Sequence, residues 1–476
     1  MLKKYLISTA NIGNNIRVKK RYHFIGIGGI GMSGIARLLL KSGFEVSGSD
    51  LKENRITEEL KSLGARIFVG HNKQNIGNHD VVVYSSAIRE DNPEIEQAKI
   101  LGITLIKRAE VLALLMQQKK AITVAGSHGK TTTTSLISCI LLEAGLNPTV
   151  AIGGILNNIN TNACLGAGEF FVAEADESDG SFLSYNPKYS IITNIDYEHL
   201  DYYHSFANEL SAFKFFIRRT QKDGCVFACS DDASFLLLLE GYEGRYLSFG
   251  LRKPADVYAT NISFTGLSSD FDCYFKNKFI YHFHLALGGK HNISNSLAAI
   301  GLSLELGINL KHIAKSLKGY KGAGRRLETK FRDDRYSVID DYGHHPSEIR
   351  ATFEALANLK AKRRIVVFQP HRYSRTKLLL DEFAKSFGRA DYLIITDIYP
   401  ASEPPEEGVN SQALLDRIKK YDPRKKVVYL AKENILEHIL RLLKAGDLVV
   451  TLGAGDITKV SDELARELKQ ENKNQS

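Results

Sequence analysis

Short β-branched runs alternate with helical patterns through almost the whole of this chain, and that alternation confines it to parallel sheets covered by helices. The first series reads YHFIGIG, MSGIARLLLKSG, FEVSGSD, ARIFVG and DVVVYSS from Tyr22 onward. A second opens at AITVAG (121–126), and a third runs from YSVIDDYG through RRIVVFQP, YLIITDIYP, KKVVYL and DLVVTLGAG. Three such starts in 476 residues fit a norm of about 150 residues per domain. The basic Lys119-Lys120 step and the Gly- and charge-rich segment GYKGAGRRLE (319–328) mark the boundaries, giving expected domains 1–118, 119–326 and 327–476. The polar last ten residues, ELKQENKNQS, are expected to fray.

Strand AITVA runs into Gly126-Ser127-His128-Gly129-Lys130-Thr131-Thr132 and then into a helical pattern. Glycines let backbone N–H groups curl around phosphate oxygens, and the helix N-terminus adds its positive end. Lys130 can reach the terminal phosphates, and Thr131 offers a hydroxyl to magnesium. The general GxxxxGK[ST] pattern fails because Val124 stands where its first glycine belongs. The strand, loop and helix context still suits a nucleoside triphosphate. Such a site needs carboxylates, and FFVAEADESDG supplies an apolar strand ending in Glu174, Asp176, Glu177 and Asp179. A second acidic group surrounds His199, with Asp196, Glu198 and Asp201. Either cluster alone would read as a solvated loop; downstream of the Lys-Thr loop both become metal-ligand candidates.

Near the start, Gly26-Ile27-Gly28-Gly29-Ile30-Gly31 lies between strand HFI and a helix, and Asp50 ends the next strand. This is the spacing of a dinucleotide fingerprint, with glycines approaching a diphosphate and an acid for a ribose hydroxyl. It specifies the diphosphate of a nucleotide without saying which nucleotide. The expected fold class is therefore α/β in three domains: an N-terminal Rossmann-like domain, a central P-loop ATPase domain with a mainly parallel sheet, and a C-terminal Rossmann-like domain. One triphosphate and one diphosphate site in a chain point to an enzyme that spends ATP on a nucleotide-linked substrate. An NAD-dependent oxidoreductase built on the first loop would leave the second unexplained.

The net charge of +9 and pI near 9.0 suit anionic ligands. No run of aromatics interleaved with basic residues favours nucleic acid. Five cysteines, at 139, 164, 225, 229 and 273, form no CxxC pair, which points to a reduced, cytoplasmic setting. No apolar run reaches the roughly 18 residues of a spanning helix, so membrane insertion is not expected. The first twenty residues read as a short extension without a clear cleavage signal.

In order and spacing, GIGGIGMSGIA, GSHGKTTT, EADESDGSF, TNIDYEHLDYY, GKHNISNSLAA, GAGRRLE, DDYGHHPSEI and QPHRYSRT resemble the Mur ligase family over residues 21 to 460. The segments DDYGHHP and QPHRYSR point to its alanine-adding branch, whose nearest rival is a recycling ligase that attaches a tripeptide to the same nucleotide sugar. The resemblance implies an ATP- and Mg2+-dependent ligase that joins L-alanine to UDP-N-acetylmuramate through an acyl phosphate. The expected assembly is a monomer or weak homodimer. Gly28, Gly29, Ile30 and Gly31 would cradle the UDP diphosphate, with Asp50, His71, Ser85 and Ser86 as further contacts. Residues 126–132 would hold ATP, with Asn292 and Asn295 at the adenine, and Thr131, Glu174 and His199 at the metal. Ser127 replaces the usual threonine of the family and keeps its hydroxyl. Arg326 would reach the ATP phosphates from the domain junction, Asp341 would meet the nucleotide from the third domain, and Tyr342, His344, His345, Arg372 and Arg375 would surround the alanine and acyl groups. The implied catalytic set is Lys130, Glu174, His199, Arg326 and His344, with His344 the first candidate for a general base.

Overall fold

The computed structural model describes residues 20–401 and 403–475, so the expected N-terminal extension lies outside them. The first sheet comprises β1 (Arg21–Ile25), β2 (Glu45–Asp50), β3 (Arg66–Val69), β4 (Val81–Tyr84) and β5 (Thr104–Lys107). All its pairings are parallel, in the order β3-β2-β1-β4-β5. The order reverses between β1 and β4, the switch point where open α/β sheets bind ligands beyond the strands' carboxyl ends. The glycine loop after β1 is at that point.

The second sheet comprises β6 (Lys120–Ala125), β7 (Thr149–Leu156), β8 (Thr161–Cys164), β9 (Phe170–Glu174), β10 (Tyr189–Ile192), β11 (Cys225–Cys229), β12 (Tyr246–Gly250), β13 (Val257–Thr265), β14 (Ser268–Phe275) and β15 (Lys278–Leu285). Its order is β15-β14-β13-β12-β11-β10-β6-β9-β7-β8. β6, whose run KAITVA is buried beyond its first residue, is central and parallel to both β9 and β10. Continuous apolar runs of this kind are what a sheet covered on both faces demands. The β7–β8 pair is antiparallel and was not foreseen. Its Gly153-Gly154 step and polar NNIN turn interrupt the apolar pattern by which a strand is recognised.

The third sheet comprises β16 (Glu328–Arg332), β17 (Tyr336–Asp341), β18 (Arg363–Phe368), β19 (Tyr392–Ile395), β20 (Val427–Tyr429) and β21 (Asp447–Leu452). The order is β16-β17-β21-β18-β19-β20, parallel except for β16 against β17. The three α/β layers expected from the alternating pattern are present. By compactness the chain falls into two units: residues to 262 with 270–285 and 292–321, and residues 263–269, 286–291 and 322 onward. In the first unit one continuous apolar core joins the first sheet (Phe24, Ile35, Leu39) to the second (Phe171, Phe182, Phe213). Over its described residues the polar tail is helical, where fraying was expected. Helix Thr458–Gln475 continues through it because Asn472 bonds Arg335 (2.9 Å) and Asp333 (3.0 Å), tying it back to the strand β17 region.

Candidate active site

At the carboxyl edge of the first sheet, Gly26 and Ile27 donate their N–H groups to the Ser49 carbonyl (2.8 and 3.0 Å), and Gly28 N–H donates to Asp50 Oδ2 (2.8 Å). Asp50 therefore braces the glycine loop through Oδ2. Helix Ile30–Lys41 begins directly after Gly29, so the first-turn N–H groups at Ile30 and Gly31 have no intrahelical partner and face the place a diphosphate would take. Both glycines at the turn are close-packed: a Cβ on Gly28 would lie 2.8 Å from Asp50 Oδ2, and one on Gly31 would collide with the Arg108 guanidinium. His71 follows β3, with its Nδ1 2.9 Å from the Ser49 hydroxyl. Ser85 and Ser86 form the turn after β4, with Ile88 N–H bonded to the Ser85 carbonyl (3.1 Å).

In the second sheet β6 ends in the 126–132 loop. Gly126 has φ +127° and Gly129 has φ +83°, a region other residues avoid, and a Cβ on Gly129 would sit 2.5 Å from Asn295 Oδ1. Ser127 Oγ accepts from Asp196 N–H (2.8 Å), so the serine keeps the loop tied to the acidic segment. His128 donates its N–H to Asn194 (2.9 Å), and its Nε2 is 3.1 Å from Asp196. Thr131 and Thr132 are buried in the first turn of helix Lys130–Glu143. Asn292 and Asn295 are also buried, on helix Lys290–Glu305, with Asn295 against the Gly129 turn.

Lys130 Nζ bonds the carbonyls of Gly126 (2.5 Å) and Ser127 (3.2 Å) and lies 2.6 Å from Glu177 Oε1. Burial works against its charge, but Glu177 and Asp176 outweigh that and push the ammonium up to about 12. Asp176 is likewise opposed by burial, yet Arg108 and Lys130 hold it down to about 2. His199, in the left-handed region at φ +56°, brings its Nε2 to 3.4 Å from the same Glu177 oxygen. Glu177 is thus the acid that joins Lys130 to His199. Glu174 stands at the end of β9, where its Oε1 accepts from Gly153 N–H (2.7 Å). Four acids within EADESD offered no local sign of which would turn inward. Arg108, which bonds Asp176 at 3.3 Å beside the first glycine loop, carried no sequence signal either.

The donors in this pocket fit a magnesium ion. Among the described residues Glu177 Oε2 is buried without a hydrogen-bond partner, and hydroxyl and carboxylate oxygens are the ligands a hard cation prefers. Below it, Glu209 is fully buried. Burial first, then Glu177, Glu198 and Asp196, push its carboxyl up to about 8 from an ordinary 4.5. Between these values the folded state holds a proton that the unfolded chain releases. The stability this group contributes is full below pH 4.5 and is lost as the pH rises through 8. Glu209→Gln should therefore raise stability by roughly 2–3 kcal/mol at about pH 8.5 and leave it nearly unchanged at about pH 5, as read by denaturant unfolding of the nucleotide-free protein.

In the other unit Asp341 ends β17, buried, and accepts from Leu327 N–H (2.8 Å), Gly343 N–H (2.9 Å) and Thr352 Oγ1 (2.9 Å). Burial raises its carboxyl, with Arg326 opposing. Arg326 lies over the Tyr342 ring at 4.8 Å and 3.8 Å from Glu348. Its neighbour Arg325, which was not singled out in the sequence, bonds Asp340 (3.1 Å) and the Gly455 carbonyl (2.8 Å) and so fastens the GAGRRLE turn. Glu348 accepts the N–H groups of His344 (2.9 Å) and His345 (3.1 Å), which fixes the His-His-Pro turn. His344 Nδ1 lies 3.1 Å from the Tyr342 carbonyl, so in the neutral ring it carries the hydrogen. Burial holds His344 well below the usual histidine range. His371 is driven down to about 3 by burial and then by Arg375 and Arg372, and Arg375 Nη1 donates to its Nδ1 (3.1 Å). Arg372, at φ +71°, donates its N–H to the Tyr399 carbonyl (2.8 Å). Tyr342, His344, His371 and Arg375 are thus gathered at the carboxyl edge of the third sheet.

Three family models match this chain: "Mur ligase family, catalytic domain" over residues 21–120, "Mur ligase middle domain" over 124–303, and "Mur ligase, glutamate ligase domain" over 325–455. A UDP-N-acetylmuramate–L-alanine ligase of Geotalea uraniireducens is 47% identical over 451 residues, 94% of this chain and 98% of that protein. The crystal structure of a UDP-N-acetylmuramate-alanine ligase from Thermotoga maritima superposes with a TM-score of 0.83 at 30% identity, covering 95% of this chain and 100% of the other. A murein peptide ligase from Psychrobacter arcticus shares the fold, with a TM-score of 0.72 at 24% identity over 94% of this chain and 98% of its own.

Proposed function

The chain belongs to the Mur ligase family, and from that premise we propose that it joins L-alanine to the lactyl carboxylate of UDP-N-acetylmuramate, spending ATP. The observation that carries this reading is the 47% identity, over 94% of the chain, to a ligase named for that reaction. The domain 1–118 takes the UDP moiety, 119–326 binds ATP, and 327–476 contributes groups for the amino acid and the nucleotide. No nucleic acid or membrane partner is required. The setting is cytoplasmic, in keeping with five free cysteines, and among the described residues no helix is long and apolar enough to cross a membrane. The protein works as a monomer or weak homodimer.

A carboxylate is a poor electrophile, so the lactyl group is first phosphorylated on ATP, giving an acyl phosphate and ADP; the α-amine of L-alanine then attacks the acyl carbon and inorganic phosphate leaves. Phosphoryl transfer asks mainly for positioning and charge neutralisation. Lys130, half-buried and charged, supplies both once triphosphate oxygens replace its contacts with Gly126 and Ser127. Arg326 and Asp341 contact the ATP, and Asn292 and Asn295 the adenine. Magnesium, when bound, neutralises phosphate charge; Thr131, Glu174 and His199 are the residues to hold it, with Glu177 as an additional carboxylate. The UDP diphosphate sits in the loop from Gly28 to Gly31, taking the first-turn N–H groups of Ile30 and Gly31, with Asp50, His71, Ser85 and Ser86 around the nucleoside.

His344, neutral and with Nδ1 committed to Tyr342, offers Nε2 as an acceptor for the alanine ammonium. Its lowered pKa suits it to orienting the amine while solvent takes the proton. His345 supports this turn, and Arg372 and Arg375 bind the carboxylate of alanine. Arg375→Ala should raise KM for L-alanine about 30-fold or more, with KM for ATP little changed, since a charge-assisted pair is worth about 1.5–3 kcal/mol; steady-state kinetics on both substrates checks this. To separate the recycling reaction, phosphate release is measured with the tripeptide in place of L-alanine. Little or none is expected, and efficient release with the peptide alone would transfer the assignment to the other branch.

A further inference from the structure

Behind His71 the first sheet holds a buried polar chain whose inner members, Ser49 and Glu94, no step above uses. Glu94, at the start of helix Pro93–Ile100, is fully buried. Its Oε1 accepts from Asn75 Nδ2 (2.6 Å) and Asn72 N–H (3.3 Å), and its Oε2 accepts from the Ser49 hydroxyl (2.6 Å) with His23 Nε2 at 3.4 Å. Burial would raise this carboxyl, but the bonds from His23, Ser49 and Asn75 more than offset it and keep it ionised. An ionised carboxylate only accepts, so the single proton of Ser49 goes to Glu94. Ser49 Oγ then has only lone pairs to offer His71 Nδ1 at 2.9 Å, and that nitrogen must carry the hydrogen. In the neutral ring the other nitrogen, Nε2, is bare.

The place of His71 gives this proton order a use. The Ser49 carbonyl takes the N–H groups of Gly26 and Ile27, and the Asp50 carbonyl takes that of Gly70 (2.7 Å). One residue, Ser49, therefore holds the glycine loop through its backbone and His71 through its side chain. His71 keeps 16% of its side chain exposed, and its Nε2 has no partner among the described residues.

We propose that Glu94, acting through Ser49, is a positioning residue that fixes His71 as the Nδ1–H tautomer, so that Nε2 accepts a hydrogen bond from a donor on the nucleoside, either a ribose hydroxyl or the uracil imide N–H. The inference rests on the assignment of this edge to UDP. In Glu94→Gln the amide donates to Ser49, the serine proton turns to His71, and the imidazole presents an N–H to the ligand where an acceptor is needed.

The first test needs no variant. Imidazole 15N spectra of the wild-type protein at about pH 8 should show the Nδ1–H form at His71; the Nε2–H form overturns the proposal. Glu94→Gln should raise KM for UDP-N-acetylmuramate about tenfold, a lost neutral hydrogen bond, with kcat within about twofold. Analogues carrying a 2′-deoxyribose or an N3-methyluracil identify the donor. The one that lacks it should lose about tenfold in affinity for wild type and almost nothing for His71→Phe, whose partly exposed ring position should tolerate the change. Equal losses for both proteins would overturn the proposal even if Glu94→Gln failed to fold. Absence of any UDP-N-acetylmuramate binding by wild type would instead refute the underlying assignment and this inference with it.

Discussion

Lys130→Ala is expected to cut ADP formation by about a thousandfold or more, because Lys130 is the cation held on the carbonyls of the phosphate-binding turn and the transferring phosphoryl group depends on charge neutralisation. Affinity for UDP-N-acetylmuramate, whose proposed contacts lie at the edge of the first sheet, should change little. The two readouts separate a phosphate-binding lysine from a structural one. Equal ATP turnover in the variant and wild type would contradict the role given to the 126–132 loop.

The second large effect is expected at Glu177. Its carboxylate is wholly buried, 2.6 Å from Lys130 and 3.4 Å from His199, so Glu177→Gln leaves a half-buried ammonium without its counter-charge. Removing one member of such a pair costs about 3–5 kcal/mol; the isosteric amide keeps part of the hydrogen bonding, so a loss near 2–4 kcal/mol of stability is expected without nucleotide. Saturating ATP with magnesium should restore part of it, since phosphate oxygens then pair with Lys130. Turnover should fall at least about a hundredfold. Unchanged stability and unchanged turnover would show that Glu177 merely fills space.

The contrast between Glu174 and Glu177 shows where sequence reasoning reaches its limit. The glycine loops, the helices that follow them and the acids at strand ends are local patterns, readable because φ at Gly129 and the register of β6 follow from neighbouring residues. Which of four acids in EADESD turns toward Lys130 depends on the path of the loop after β9, held by contacts such as that between the Tyr203 hydroxyl and the Glu177 carbonyl (2.5 Å). Such contacts join residues far apart in the chain. Arg108 and Glu94 were hidden for the same reason. Each is an ordinary charged residue in its own segment and acquires meaning only from partners 45 to 71 positions away, as with Ser49, Asp176 and His23. The roles proposed for Arg326, Asp341 and the His-His-Pro turn come from family resemblance alone; Arg325 and Glu348, which fasten those segments, had no signal in the sequence. The β7–β8 hairpin escaped because glycines and a polar turn broke its apolar alternation.

The most direct measurement is phosphate release with ATP, magnesium, UDP-N-acetylmuramate and L-alanine, with the product weighed by mass spectrometry. The account predicts release that depends on L-alanine, one phosphate per product, and a nucleotide sugar heavier by one alanine residue. Phosphate release without any such product, or no dependence on L-alanine, would contradict it.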